Sequence, residues 1–198
     1  MTKTLLDFDE IPLFPSPEQA RRLLRLSTAH NIVMTLCAEQ ARLRLNGEAV
    51  ALAALLGGEN LPRQTPDEAA TALTALPVLS DVPVGCVAYA IRSYQVLMTV
   101  QREQRLEELP AVPAPFLVAG AGLISRVAHS AVDVLGVGTV PMDPAGVPEH
   151  AWEALFGAQV AHFPATSWSL DVDPGQDLAY IHHVWRDGAM HWSVDLMV

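Results

Sequence analysis

Lysine is almost missing from this chain. Lys3 stands alone beside eleven arginines, and acidic residues outnumber the two basic types together by 22 to 12. A net charge of −10 argues against nucleic acid as a partner, and the basic helical face of Arg21, Arg22 and Arg25 with Arg42 and Arg44 is expected to pair with the chain's own carboxylates and not with phosphates. Charge of either sign is scarce: 17% of residues, against roughly 25% in an average domain, while 51% are hydrophobic. That balance excludes disorder for most of the chain and implies a large core, or apolar surface covered by association.

Cysteine is nearly absent as well. Cys37 and Cys86 make no metal-type spacing and too few bridges for a disulfide framework, so the expectation is two buried free thiols in a reducing cytoplasm. No apolar run is long and uncharged enough for a bilayer, since Arg92 interrupts residues 84–100, and Arg126, His129 and Asp133 interrupt residues 116–137. The first ten residues hold no signal-peptide apolar region. The pattern expects a soluble, cytoplasmic protein that is not a membrane protein. Signature motifs are missing too: no P-loop, C-x-x-C, H-E-x-x-H or G-x-S-x-G occurs, and the glycine pairs at 120/122 and 136/138 lack the context of a dinucleotide site.

What is present reads as an α+β protein in a single domain, residues 1–198. Residues 1–15 are apolar positions broken by Pro12 and Pro15, which predicts an extended arm on the core. Residues 16–157 read as mainly helical, with five to six helices. Ser16-Pro17-Glu18-Gln19 has the form of a capping box and opens a helix to Asn46-Gly47, with a break allowed near residues 27–30. Shorter helices are predicted over 48–56, from Thr65-Pro66-Asp67-Glu68 to residue 75, and over 149–156. Two longer ones cover residues 84–109 and 116–137. The second has a competing reading as a strand in its first residues. Residues 158–198 change period to short β-branched and aromatic runs, predicting an antiparallel sheet of three to four strands that ends in a β-hairpin.

The hairpin is the most informative stretch. Three of the seven histidines and two of the four tryptophans fall within residues 177–198, around an Asp187-Gly188 turn signal. A two-residue loop pairs Arg186 with Ala189 and His182 with Ser193. It sorts Ile181, His183, Trp185, Met190, Trp192, Val194 and Leu196 to one face, and Tyr180, His182, Arg186, His191, Ser193 and Asp195 to the other. His182 and His191 then become diagonal neighbours, with Cβ atoms on the order of 7 Å apart. A three-residue loop would instead set His183 opposite His191.

Three chemistries are open to these residues. His182 and His191 are the candidate metal ligands, for Zn²⁺ or another divalent ion if a third ligand joins them. With Asp195 they form a candidate acid–base set for a hydrolase or small-ligand enzyme. The ordinary alternative is a polar sheet face or interface. A second catalytic candidate is Ser125, His129 and Asp133, spaced four apart on the 116–137 helix, where they would share a stripe. The set has the composition of a triad but not its usual geometry, and it fits a polar helical seam or the lining of a small-molecule pocket beside the sheet.

No cofactor is implied apart from that conditional metal. The favoured reading is a non-enzymatic protein working through contact with a dedicated protein partner or with itself as a homo-oligomer: an adaptor, a chaperone, or an inhibitor of the immunity type. Tyr180, His182, His191, Trp192 and Ser193 form the expected binding surface, because tryptophan and tyrosine anchor interfaces.

Overall fold

The computed structural model describes residues 9–61, 63–103, 117–119, 123–128, 130–143, 145 and 179–196. Helix α1 (Pro17–Leu45) begins where its capping chemistry requires. The Ser16 N–H donates to Gln19 Oε1 at 2.9 Å, and the Gln19 N–H donates to Ser16 Oγ at 3.3 Å. Its end closes as a Schellman motif: the N–H groups of Gly47 and Glu48 donate to the Arg44 and Leu43 carbonyls, both at 3.0 Å, with Gly47 at a φ of 83°. The helix does not break near residues 27–30. The Thr28 hydroxyl folds back onto the Leu24 carbonyl at 2.8 Å, and Ser27, Ala29 and His30 are all buried.

The described chain divides into two compact units, Met1–Leu23 with Phe116–Val198, and Leu24–Pro115. The second unit is helical. It holds most of α1, a 3-10 turn (Ala53–Leu56), helix α2 (Pro66–Thr74) and helix α3 (Val84–Glu103). Helix α2 carries a full capping box between Thr65 and Glu68, with Pro66 in the first turn. Leu73, Leu79, Val87, Ala90 and Ile91 build its core with Val33 and Met34. The arginines of α1 meet carboxylates: Arg22 with Glu18 at 2.7 Å, and Arg25 with Asp81 and Arg42 with Glu39 at 2.6 Å each.

The helix expected over residues 48–56 is mostly absent. Side chains claim its backbone groups: Gln40 Nε2 donates to the Val50 carbonyl at 2.8 Å, and Asn60 Oδ1 accepts the Ala51 N–H at 2.7 Å. With those groups satisfied elsewhere, only the 3-10 turn remains.

The first unit is built of strands: β1 (Asp9–Leu13), β2 (Leu117–Ala119), β3 (Ile124–Ala128), β4 (Ala131–Val134), β5 (Gly138–Pro141), β6 (Ala179–Arg186) and β7 (Ala189–Leu196). They form a four-stranded sheet in the order β1-β7-β6-β2 and a three-stranded sheet in the order β3-β4-β5, all neighbours antiparallel. Mixed helix and sheet confirms the α+β class. Among the described residues the helices number three, fewer than the five to six expected.

The largest correction concerns the helix expected over residues 116–137: the described residues there form β2, β3 and β4, and the competing reading of a strand in the first residues matches β2. Val132 and Val134 are buried while Ala131 and Asp133 are half-buried, the two-residue alternation of a strand with one covered face. Gly136 and Gly138, with φ of 81° and 88°, supply the left-handed backbone that turns β4 into β5.

The N-terminal arm is also more than an extended arm. Asp9–Leu13 is a strand paired with Leu196–Trp192 of β7. Pro12 is tolerated because its carbonyl accepts the Asp143 N–H at 2.9 Å, on the side away from β7, where its own missing N–H would also have pointed. Leu13 bridges Met142, and the Phe14 N–H donates to the Pro141 carbonyl at 2.8 Å, so β1 links the two sheets. The last turns of the 84–109 helix at residues 104–109, the helix expected over 149–156 and the part of the expected sheet over 158–178 lie outside the described residues.

Candidate functional site

The hairpin β6–β7 adopts the two-residue loop. Asp187 and Gly188 have φ of 53° and 76°, a type I′ turn. Pairing runs from Arg186↔Ala189 through Val184↔His191, His183↔Trp192 and His182↔Ser193 to Ala179↔Leu196. His182 and His191 are therefore diagonal neighbours by register, and His183 does not face His191. The side chains of Tyr180, His182 and Asp195 lie outside the described set; their backbones place Tyr180 opposite Asp195.

One face of the sheet is core. Ile11 and Leu13 of β1, Ile181 of β6, and Trp192 and Val194 of β7 are all buried. The His183 ring lies 4.8 Å from that of Trp192. Trp192 is only 5% exposed, so its indole serves packing. Trp185, nearer the turn on the same strand face, is 68% exposed. The expected binding set did not include it.

A cleft of about 640 Å³ is formed by β6 and β7, the end of β1 with Phe14 and Pro15, and Ala20 of α1. Val184, Arg186, Met190, His191, Trp192 and Ser193 line it from the hairpin. Ser193 is 8% exposed, not out on a wet face. Pro12 stands opposite it in register, and Phe14, 58% exposed, stands at the cleft wall. His191 is exposed, with Nε2 3.1 Å from the Arg186 carbonyl. A carbonyl only accepts, so Nε2 carries the proton and Nδ1 is left for a second contact.

The Ser125, His129 and Asp133 stripe does not exist, because no helix carries it. Ser125 on β3 is the cross-strand partner of Asp133 on β4. Thr139 donates its hydroxyl to Asp133 Oδ1 at 3.4 Å, and His129 lies outside the described residues. The pocket expected beside a 116–137 helix falls with that helix. Among the described residues, no group of three His, Cys, Asp or Glu is placed to hold a metal ion. No helix among them is long and apolar enough to cross a membrane.

Burial elsewhere shifts several groups. His30 is 5% exposed against the Tyr89 ring, and desolvation pushes its pKa down from 6.5 to about 4. The thiols of Cys37 and Cys86 are buried and free, and desolvation pushes both up to about 12. These groups are shielded, which suits packing and not catalysis.

Arg186, Phe14 and Trp185 are the residues that sequence reasoning passed over. Arg186 was already on the polar face of the hairpin pattern, and a cation there was a usable signal. Phe14 had none, because its place depends on β1 pairing with a strand about 180 residues away. Compared with known proteins, the chain matches no family model and no curated sequence.

Proposed function

We propose that the protein acts by binding, without catalysis, and that its hairpin and the adjoining end of β1 receive a protein partner or a second copy of the chain. The observation that carries this reading is that each of these two elements leaves a large aromatic side chain exposed. Trp185 at 68% and Phe14 at 58% exposure belong to the large apolar side chains left uncovered among the described residues. Large aromatics anchor interfaces because they bury much area at little entropic cost. An adaptor, chaperone or inhibitor role follows from the same surface, and two free buried thiols suit a reducing, cytoplasmic setting.

The test is association measured on the whole chain. Sedimentation velocity over a concentration series, and affinity capture with a purified partner where one is known, should both weaken about tenfold or more on Trp185→Ala. Trp185 is exposed, so the variant should melt like the parent. A chain that stays monomeric throughout, with Trp185→Ala altering no measured association, would sink the proposal.

A further inference from the structure

We infer that the cleft beside the hairpin binds a single carboxylate carried on an apolar body. This deepens the binding role proposed above and rests on it.

The first support is charge. The chain holds 22 acidic residues against 12 basic ones, yet among the described residues that line this cleft there is no Asp or Glu, while Arg186 and His191 are present. The four ion pairs found among the described residues engage Arg22, Arg25, Arg42 and Arg92; none engages Arg186. A guanidinium presents a planar fork of donors that matches the two oxygens of a carboxylate.

The second support is the geometry of His191. Its Nε2 donates to the Arg186 carbonyl at 3.1 Å, which fixes the ring beside the arginine's own backbone and assigns the proton to that nitrogen. Arg186 and His191 stand diagonally across the hairpin on one face of the sheet, and because Nδ1 of His191 is then an acceptor, the carboxylate falls to the Arg186 guanidinium.

The third support is the rest of the lining. Phe14, Pro15, Val184 and Met190 supply apolar walls, and about 640 Å³ lies within the size of small-ligand sites. One full cation against largely apolar walls suits one negative charge on an apolar body. A dianionic phosphate would call for more donors than the cleft provides. The carboxylate has two sources, a free aliphatic acid or the C-terminal residue of a peptide.

Titration calorimetry on the full chain separates them. One arm uses octanoate with octanamide as its neutral twin. The other uses an N-acetylated hexapeptide ending in leucine, as free acid and as C-terminal amide. At least one acid should bind saturably, with its amide at least tenfold weaker, and Arg186→Gln should weaken the acid tenfold or more while leaving the amide unchanged. The arm that saturates names the source. Equal binding of acid and amide, parental affinity in Arg186→Gln, or no saturable heat in either arm would overturn the inference. Trp185 does not line the cleft. A loss of association on Trp185→Ala with no carboxylate effect would thus leave the binding role standing and remove only its ligand.

Discussion

A buried imidazole is stable only while it stays neutral, and His30 is such a group. Its folded pKa of about 4 lies below the ordinary 6.5, so between these values the unfolded chain takes up a proton that the folded chain refuses. The contribution of His30 is complete above pH 6.5 and is lost as pH falls toward 4. The size is on the order of 3 kcal/mol at the lower end. Urea denaturation of the parent should show the midpoint dropping between pH 7 and pH 4.5, and His30→Leu should flatten that drop. Parallel curves for the two proteins would refute it. Cys37 and Cys86 call for the same logic in a second experiment. With thiols raised to about 12, neither should react with a disulfide reagent at pH 8 until denaturant is added, when both should. Single residues were legible in the sequence only as far as type implies burial. The free cysteines were read correctly, whereas Trp185 and Trp192 share one face of the hairpin pattern and only the structure shows that the first is 68% exposed and the second 5%.

At the scale of elements, legibility follows sequence distance. The two capping boxes, the Gly47 stop and the Asp187-Gly188 turn each involve residues within a few positions of one another, and all appear where the pattern puts them. The hairpin register followed from its turn and its two-face partition. Residues 116–137 defeated the same reasoning because their strands are three to five residues long, and an apolar run that short fits a helix or a strand equally. The pairing of β1 with β7 had no local trace, since alternation shows a strand but never names its neighbour. The turn yields a clean test. A Cβ on Gly188 would meet nothing within 4 Å, so the cost of Gly188→Ala is the left-handed backbone alone. It should destabilise by about 1–2 kcal/mol in chemical denaturation, and Gly188→Asn by less, since asparagine tolerates that region. Equal stability of all three proteins would mean that the turn relaxes to another type.

For the whole molecule, the net charge of −10 decides between the two kinds of partner that the proposed role allows. Two copies of this chain repel one another at long range, and ions screen that repulsion over a Debye length of about 10 Å at 0.1 M salt. Self-association through Trp185 and its neighbours should therefore strengthen as salt rises from about 0.02 to 0.5 M, because the apolar contact persists while the repulsion fades. A dedicated partner with a basic docking face would show the reverse, with association slowing steeply as salt screens the attraction. Sedimentation equilibrium at both salt levels gives the first answer, and association rates with a candidate partner give the second. The cleft obeys the opposite sign from the surface around it. Its carboxylate contact with Arg186 should weaken with salt even where self-association strengthens. Opposite salt slopes for octanoate binding and for self-association would show that cleft and aromatic surface are separate sites on one hairpin; slopes of the same sign would show that a single electrostatic field governs both.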